Sequence, residues 1–244
     1  MWELITFVFH VGSDVPVWLP FITMHAKSRT LSMMAATVLI CCLIPFVGIA
    51  LRDSTAVTVG ETTILQALAT GPEWLRDFSA ICAYLFSTIG CIVLMVFLAI
   101  LDKRITSNWK TVVRDAVVSA APIVYVTGIK WLVVRPRPIT SVGSGLLPGD
   151  PSFPSGHTAA AVIVSVMILL TVRNLAHKRF SEAETDGRRV FLRRATVGAV
   201  MLVAVVACSR LLLGLHYPTD VIISAVVCPL ISYTIWCVWD KTAA

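Results

Sequence analysis

Charged residues are scarce in this 244-residue chain. Asp, Glu, Lys and Arg make up 14% of it, whereas hydrophobic residues make up 57% and the mean hydropathy is +0.84. Soluble globular domains carry about 25% charged residues, so the composition excludes an ordinary soluble domain. A helix that crosses a bilayer needs roughly 20 predominantly apolar residues, and several stretches meet that requirement. The sequence therefore predicts a polytopic membrane protein.

Patterns typical of metal sites and disulfide frameworks are also missing. The seven cysteines lie within or beside apolar runs, without CxxC spacing and without a histidine ligand set nearby. Such cysteines are typical of small, buried hydrophobic side chains. No group of Asp, Glu and His with metal-ligand spacing occurs in the segments that we place at the outer face. We expect neither a metal nor another cofactor.

Apolar runs predict six membrane-spanning helices, since helices satisfy their backbone hydrogen bonds within one segment. The predicted spans cover residues 31–51, 80–101, 116–134, 157–173, 195–215 and 219–239. Residues 1–25 are apolar but are interrupted by GSD at residues 12–14 and by Pro16, which favours an interfacial or re-entrant segment over a seventh span. We predict an all-α fold with an N-terminal interfacial segment, residues 1–30, and a six-helix membrane domain, residues 31–244.

The distribution of basic residues predicts the orientation in the membrane. With the N-terminus inside, 14 of the 20 Lys and Arg residues fall in cytoplasmic segments, as the positive-inside rule expects. We therefore expect a protein of the inner (plasma) membrane with both termini in the cytoplasm. The net charge of +6 is spread over short loops, which excludes a dedicated nucleic-acid site, and no obligate protein partner is indicated.

Six basic residues fall outside the cytoplasmic segments. Arg52 and Arg76 flank the first outer loop and are interpreted as interfacial anchors. The other four lie at the outer ends of the third and fifth spans: Lys130, Arg135, Arg137 and Arg210. Charges at membrane depth are costly and by default indicate function.

Three polar stretches meet at the outer face under this topology. They are KWLVVRPRP at residues 130–138, PSGH at residues 154–157 and SRLLLGLHYPTD at residues 209–220. The guanidinium groups of Arg137 and Arg210 and the ammonium group of Lys130 suit phosphate oxygens. Ser155 and Gly156 precede a helix whose free backbone amides favour an anion. The three stretches together indicate a phosphate-binding site.

Two histidines and one aspartate complete this set. His216 can attack phosphorus while Asp220 holds its other ring nitrogen in the required tautomer. His157 can donate a proton to the leaving oxygen, and the cations stabilise the charge on the phosphoryl oxygens. Pro218 allows the sixth span to begin near residue 218. That start leaves His216 in the connecting segment and puts Asp220 in the first helical turn.

Taken singly, each of these residues also has a structural interpretation. Lys130 or Arg135 can extend to the lipid headgroups, and Pro154 with Gly156 can form an ordinary turn before a helix. The structural interpretation is kept for three histidines outside the three stretches: His10, His25 and His177. For the complete set, catalysis is the favoured interpretation.

The three stretches resemble the signature motifs of the type 2 phosphatidic acid phosphatase (PAP2) superfamily. The matching patterns are K-x6-R-P at residues 130–138, P-S-G-H at residues 154–157 and S-R-x5-H-x3-D at residues 209–220. The six-helix pattern extends the resemblance to most of the chain, but not to the first 25 residues.

The resemblance implies a metal-independent lipid phosphatase. In that family the last histidine is transiently phosphorylated and the histidine of PSGH is the general acid. Carried over, the implied roles are phosphate binding by Lys130, Arg137 and Arg210, a cradle of Ser155 and Gly156, acid catalysis by His157, and nucleophilic attack by His216 supported by Asp220. Ser209 and Arg135 are auxiliary candidates. Arg135 lies outside the strict pattern and its role is open; one interpretation is that it only widens the basic mouth of the site.

Hydrolysis of a lipid phosphate or diphosphate at the outer leaflet is the leading function, with the substrate entering laterally between helices. Polyprenyl diphosphate is favoured on family grounds, with phosphatidylglycerol phosphate and phosphatidate as alternatives. Transfer of the phosphoryl group to an acceptor lipid would use the same site. A transporter or flippase would place polar groups near the midplane, whereas here they collect at one end. Soluble vanadium haloperoxidases share the anion-binding design, but six membrane spans disfavour that chemistry.

Overall fold

A computed structural model describes residues 26–138, 149–181 and 184–242 of the chain. Within those ranges the chain forms eight α-helices, which confirms the predicted all-α fold. They are α1 (Ala26–Asp53), α2 (Thr55–Ala69), α3 (Glu73–Leu85), α4 (Thr88–Thr106), α5 (Trp109–Val133), α6 (Gly156–Arg179), α7 (Thr185–Leu212) and α8 (Pro218–Thr242). The prediction of an interfacial segment falls almost wholly on residues 1–25, outside the described residues, and the division into two domains stays a prediction.

Five of these helices are long and apolar enough to cross a membrane, namely α1, α5, α6, α7 and α8. A sixth crossing is obtained when α3 and α4 are counted together, but these two helices are bent by 63° relative to each other. The predicted span at residues 80–101 is therefore interrupted, because α3 ends at Leu85 and α4 begins at Thr88. Helix α2 and the first part of α3 occupy the region between residues 51 and 80, which was predicted to be an outer loop.

The bend between α3 and α4 has a local cause. The hydroxyl of Ser87 caps α4 by accepting a hydrogen bond from the Gly90 amide at 3.2 Å. A Cβ atom added at Gly90 would lie only 2.2 Å from the carbonyl oxygen of Leu85. A backbone atom cannot give way cheaply, so the close approach of the two helix ends requires glycine at this position. The bend carries α3 away from the axis of α4 and towards α7, which it contacts.

Helix α6 forms the centre of the bundle and packs against α4, α5, α7 and α8. Its residues 158–165 are all buried, and Met167, two residues further along, is buried as well. Three successive alanines, residues 159–161, allow neighbouring helices to approach closely. Large apolar side chains remain exposed on the periphery, for example Phe46, Ile89 and Val124 at 69%, 76% and 75% exposure. A lipid environment accommodates such a surface, which water would not.

Two tight helix ends bring the polar stretches to the same end of the bundle. Helix α5 stops at Val134, which adopts a left-handed conformation with φ of 50° and donates its N–H to the Lys130 carbonyl at 3.0 Å. Helix α7 stops before Gly214, which has φ of 62° and suits the left-handed conformation of a helix C-terminus. The chain then re-enters the bundle at Pro218, the first residue of α8, as predicted from the sequence.

Candidate active site

Two cations from the first polar stretch converge on one carboxylate. The ammonium of Lys130 lies 2.7 Å from Asp150 Oδ2, and Nη2 of Arg137 lies 2.7 Å from Asp150 Oδ1. Lys130 also donates to the carbonyl of Pro151 at 2.6 Å, and Nε of Arg137 donates to the carbonyl of Asp150 at 2.9 Å. Both cations are at least nine-tenths buried, whereas the Asp150 side chain is 40% exposed. The two cations therefore point at a common anion.

Asp150 was not among the predicted site residues. Burial alone would raise the pKa of its carboxyl group, but the hydrogen bonds and charges of Lys130 and Arg137 outweigh burial and lower the pKa to about 2. The carboxylate is thus fully charged at neutral pH. The sequence contains one indication of this role. Asp150 is the only acidic residue between Asp115 and Glu182, and it lies between the KWLVVRPRP and PSGH stretches.

His216 lies in the connection between α7 and α8 and is 1% exposed. Nη1 of Arg137 is 3.1 Å from its Nε2 atom and also donates to the Leu215 carbonyl at 2.8 Å. Because a guanidinium group only donates, we assign Nε2 as the acceptor, which leaves the proton of the neutral ring on Nδ1. Nδ1 faces Asp220 Oδ2 at 3.5 Å, a long contact rather than a full hydrogen bond.

The protonation state of His216 follows from its surroundings. The pKa of the ring is lowered to about 4, mainly because of burial. The charge of Arg137 acts in the same direction, and Asp220 opposes it. The ring is therefore neutral at pH 7, with a lone pair on Nε2 directed towards the cation pair. An unprotonated, buried imidazole of this kind is suited to nucleophilic attack.

Asp220 is fixed in the first turn of α8 by several partners. Its Oδ2 accepts the backbone N–H of Tyr217 at 3.0 Å, and its Oδ1 accepts Nη1 of Arg135 at 2.7 Å. Its own carbonyl accepts the backbone N–H of Ser155 at 3.1 Å. The start of α8 is thereby tied to the start of α6, so His216 and the PSGH stretch share one rigid support.

Arg135 is not a residue of the basic mouth, and that interpretation is wrong. Its side chain is 1% exposed and forms ion pairs with Asp220 at 2.7 Å and with Glu61 of α2 at 2.6 Å. Its guanidinium carbon also lies 4.0 Å from the centre of the Tyr217 ring. Two carboxylates, the Thr219 hydroxyl and an aromatic face surround the Nη atoms and the ring-facing side of Arg135, so its charge is turned away from a ligand and into the protein.

The PSGH stretch forms the N-terminus of α6. Ser155 is the N-cap, and its hydroxyl oxygen accepts the N–H and the hydroxyl of Thr158 at 3.4 and 3.0 Å. The hydroxyl proton of Ser155 is then available for donation. A Cβ atom built on Gly156 would lie 3.5 Å from Cε of Lys130, so the first helical residue and the lysine of α5 are neighbours.

His157 follows in the first turn of α6. Its ring hydrogen-bonds to the backbone of Ala83, and it interacts electrostatically with Arg210, His216 and Arg137. The bend that separates α3 from α4 is what brings Ala83 to this position. The two predicted catalytic histidines therefore belong to one cluster.

Ser209 and Arg210 lie in the last turn of α7, and both are fully buried. Nη2 of Arg210 donates to the Ser79 carbonyl of α3 at 2.9 Å and to the Ser209 hydroxyl at 3.1 Å. Ser209 in turn donates to the Val206 carbonyl at 2.7 Å, so it orients the arginine. Nη1 of Arg210 has no hydrogen-bond acceptor among the described residues. A buried charged donor of this kind favours an anionic ligand.

Sequence reasoning missed the contribution of α2 and α3. Glu61 is 6% exposed and binds both Arg135 and the backbone N–H of Thr219. Its one sequence signal is that it is the only charged residue in the otherwise neutral α2. Ser79 and Ala83 contribute backbone groups, which carry no side-chain signal that a motif search detects.

The described residues contain no cluster of three or more His, Cys, Asp or Glu side chains that could hold a metal ion. The expectation of a metal-independent site stays a prediction, and a chelator experiment tests it below.

Comparison with known proteins agrees with the motifs. The sequence profile of the PAP2 superfamily matches residues 111–243. The fold is similar to the crystal structure of the first transmembrane PAP2-type phosphatidylglycerolphosphate phosphatase from Bacillus subtilis, with a TM-score of 0.63 and 17% sequence identity over 88% of this chain and 98% of that chain. A comparison with curated protein sequences finds no significant match. Since the profile covers more than half of the sequence and all three motifs, this multi-pass membrane protein belongs to the PAP2 superfamily.

Proposed function

We propose that this protein hydrolyses a phosphomonoester or diphosphate of a membrane lipid through a phosphohistidine formed on His216. The observation that carries the proposal is the arrangement around Arg137, whose guanidinium group contacts both Asp150 and Nε2 of His216. An anion that takes the place of the Asp150 carboxylate is therefore held next to the lone pair of the histidine.

The reaction follows from these contacts. The phosphate group displaces Asp150 and binds Lys130 and Arg137, while Nη1 of Arg210 supplies a further donor. Nε2 of His216 attacks phosphorus, the bond to the leaving oxygen breaks, and His157 delivers a proton to that oxygen. Water then attacks phosphorus, loses a proton to His157, and releases inorganic phosphate and neutral His216. Asp220 stabilises the positive ring of the phosphohistidine through Nδ1–H.

We favour polyprenyl diphosphate as the substrate, on the family grounds stated above. Phosphatidylglycerol phosphate and phosphatidate complete the set to be tested, and the similar crystal structure from Bacillus subtilis is that of a phosphatidylglycerolphosphate phosphatase. The exposed apolar surface of the helices supports lateral entry of a lipid, because the substrate's chains can stay in the bilayer while its phosphate reaches the helix ends.

We further propose that the site faces the extracytoplasmic side, with both termini in the cytoplasm. The supporting observation is the charge distribution, since the loops at the other end of the bundle carry most of the Lys and Arg residues. Labelling of single cysteines introduced beside Asp150 and beside Lys178 with a membrane-impermeant reagent tests this orientation.

The central experiment measures phosphate release from a panel of lipid phosphates by the purified protein in detergent. We expect His216→Ala to abolish release, because the attacking nitrogen is removed. His177→Ala is the matched control, since His177 lies on the same helix as His157 but about 30 Å further along it. Retained turnover by His216→Ala would overturn the nucleophile assignment.

Two additional measurements define the reaction class. Wild-type activity should survive EDTA, and its loss would contradict a metal-free mechanism. If phosphate appears on a second lipid instead of in solution, the same site acts as a phosphotransferase, and a mass shift of the acceptor lipid detects that outcome.

A further inference from the structure

We propose that Glu61, acting through Arg135, is a positioning residue that holds the Asp220 carboxylate against the ring of His216. The inference rests on the proposed function, in which His216 is the nucleophile. Glu61 lies in α2, outside the three sequence motifs, and neither it nor Arg135 touches the cation pair that binds the substrate phosphate.

The contacts of Glu61 converge on the first turn of α8. Oε2 of Glu61 accepts Nη2 of Arg135 at 2.6 Å, and Oε1 accepts the backbone N–H of Thr219 at 2.8 Å. Nη1 of Arg135 continues to Asp220 Oδ1 at 2.7 Å and to the Thr219 hydroxyl at 2.9 Å. Glu61 thus fixes both the backbone next to Asp220 and the guanidinium group that holds its side chain.

Burial makes this chain of contacts rigid. The three side chains are 8%, 1% and 0% exposed for Glu61, Arg135 and Asp220. Removal of one partner from a buried ion pair leaves an uncompensated charge, to which the remaining partners must adjust. A change at Glu61 is therefore transmitted to Asp220 rather than absorbed by solvent.

The charge balance gives Glu61 an electrostatic role as well. Arg135 alone would neutralise Asp220 and weaken its attraction for the positive ring that forms when His216 is phosphorylated. Glu61 compensates Arg135, so the three groups together keep one negative charge facing Nδ1 of His216 at 3.5 Å. We infer that Glu61 maintains the basicity of His216 and stabilises the phosphohistidine.

Other charged and titratable groups also face His216 and enter its titration. Arg137, in the segment after α5, contacts Nε2 at 3.1 Å, and Lys130 of α5 and His157 of α6 act on the ring electrostatically. None of these is changed when Glu61 is replaced, so an altered titration of His216 in that variant reports on the contacts through Arg135.

The test compares Glu61→Gln with the wild type. Gln keeps an acceptor for Thr219 but removes the negative charge. We expect kcat to fall about 10- to 100-fold, by analogy with the loss of a hydrogen-bond partner that orients a metal-ligating histidine. KM should change less than about threefold because the substrate contacts are retained. The titration of His216, followed by NMR on protein labelled with ¹⁵N-histidine, should shift to lower pH since a nearby negative charge is lost.

Two further variants complete the design. Glu73→Gln makes the same chemical change at an exposed position of α3 and should match the wild type. Arg135→Lys keeps the charge but loses the planar fork that bridges Glu61 and Asp220, and it should lower kcat in the same way. If Glu61→Gln does not fold, Arg135→Lys decides the question.

The outcomes separate this inference from the proposed function. Wild-type kcat and an unchanged His216 titration in Glu61→Gln would overturn the positioning role, as would an Arg135→Lys variant with full kcat. If the wild type releases no phosphate from any lipid, the proposed function fails, whereas the NMR titration still tests the link between Glu61 and His216.

Discussion

Removal of the Asp150 charge should make the protein bind phosphate more tightly. The Asp150 carboxylate contacts both Lys130 and Arg137 at 2.7 Å, so an incoming phosphate group must break these two contacts before it can form its own. Asp150→Asn removes the charge but keeps the backbone carbonyl that accepts Nε of Arg137 at 2.9 Å. The substitution therefore removes the competitor with little change to the arginine.

The magnitude follows from the titration of Asp150. Its pKa falls from the ordinary 3.8 to about 2, which corresponds to about 2.5 kcal/mol of net stabilisation of the charged carboxylate, the attraction of the two cations less the cost of burial. The side chain is 40% exposed, so solvent screening reduces the effective part to about 1 kcal/mol. That free energy corresponds to about a fivefold change in a binding constant.

The assay is competitive inhibition of lipid-phosphate hydrolysis by inorganic phosphate at pH 7. We expect the inhibition constant to fall about fivefold in Asp150→Asn. Asp77→Asn removes an exposed charge on α3 and is the matched control, with no change expected. An unchanged or higher inhibition constant in Asp150→Asn would refute the competition argument, because it would mean that the carboxylate helps to arrange the cations rather than to occupy them.

Two other predictions concern pH and the bend. Attack needs an unprotonated Nε2, and the pKa of His216 is lowered to about 4. The value of kcat/KM, measured in detergent, should therefore stay level down to about pH 5 and decline only around pH 4. A decline centred on pH 6.5 would contradict a buried neutral nucleophile. Gly90→Ala should lower the thermal unfolding temperature, because its Cβ would lie 2.2 Å from the Leu85 carbonyl. Gly128→Ala, where an added Cβ meets no atom within 4 Å, should not; equal unfolding temperatures for the two variants would exclude the proposed cause of the bend.

The spanning helices were predictable because hydropathy reports the composition of a contiguous segment. The start of α8 was predictable for a similar reason, since Pro218 and Asp220 are local signals of a helix N-terminus. The bend between α3 and α4 was not predicted, because hydropathy carries no information about the direction of a helix axis. The local residues that cause it are the capping Ser87 and the crowded Gly90. Their effect can be recognised only when the position of the Leu85 carbonyl is known.

The positions of Glu61 and Asp150 could not be predicted for a different reason. Arg135 and Glu61 are 74 residues apart in sequence, and Asp150 lies 13 positions after Arg137. Pairing of opposite charges over such separations depends on tertiary contacts, such as those that place α2 against α7 and Glu61 against the first turn of α8. Lys130, Arg137 and Arg210 are conspicuous in the sequence because they are charges at the ends of apolar segments, whereas the carboxylates that pair with the cations of the site are recognisable only in the folded structure.

The charges of the site explain why a terminal phosphate group suits it better than a phospholipid diester. Four cations and three carboxylates lie close together: Lys130, Arg135, Arg137 and Arg210, with Glu61, Asp150 and Asp220. Asp150 is the most exposed of these groups, and its departure into solvent leaves an excess of two positive charges. A phosphate dianion neutralises that excess, whereas a diester monoanion leaves one buried positive charge uncompensated at considerable cost. The same count explains why Asp150 is tolerated beside the nucleophile, because it keeps the cations paired until a more highly charged anion replaces it.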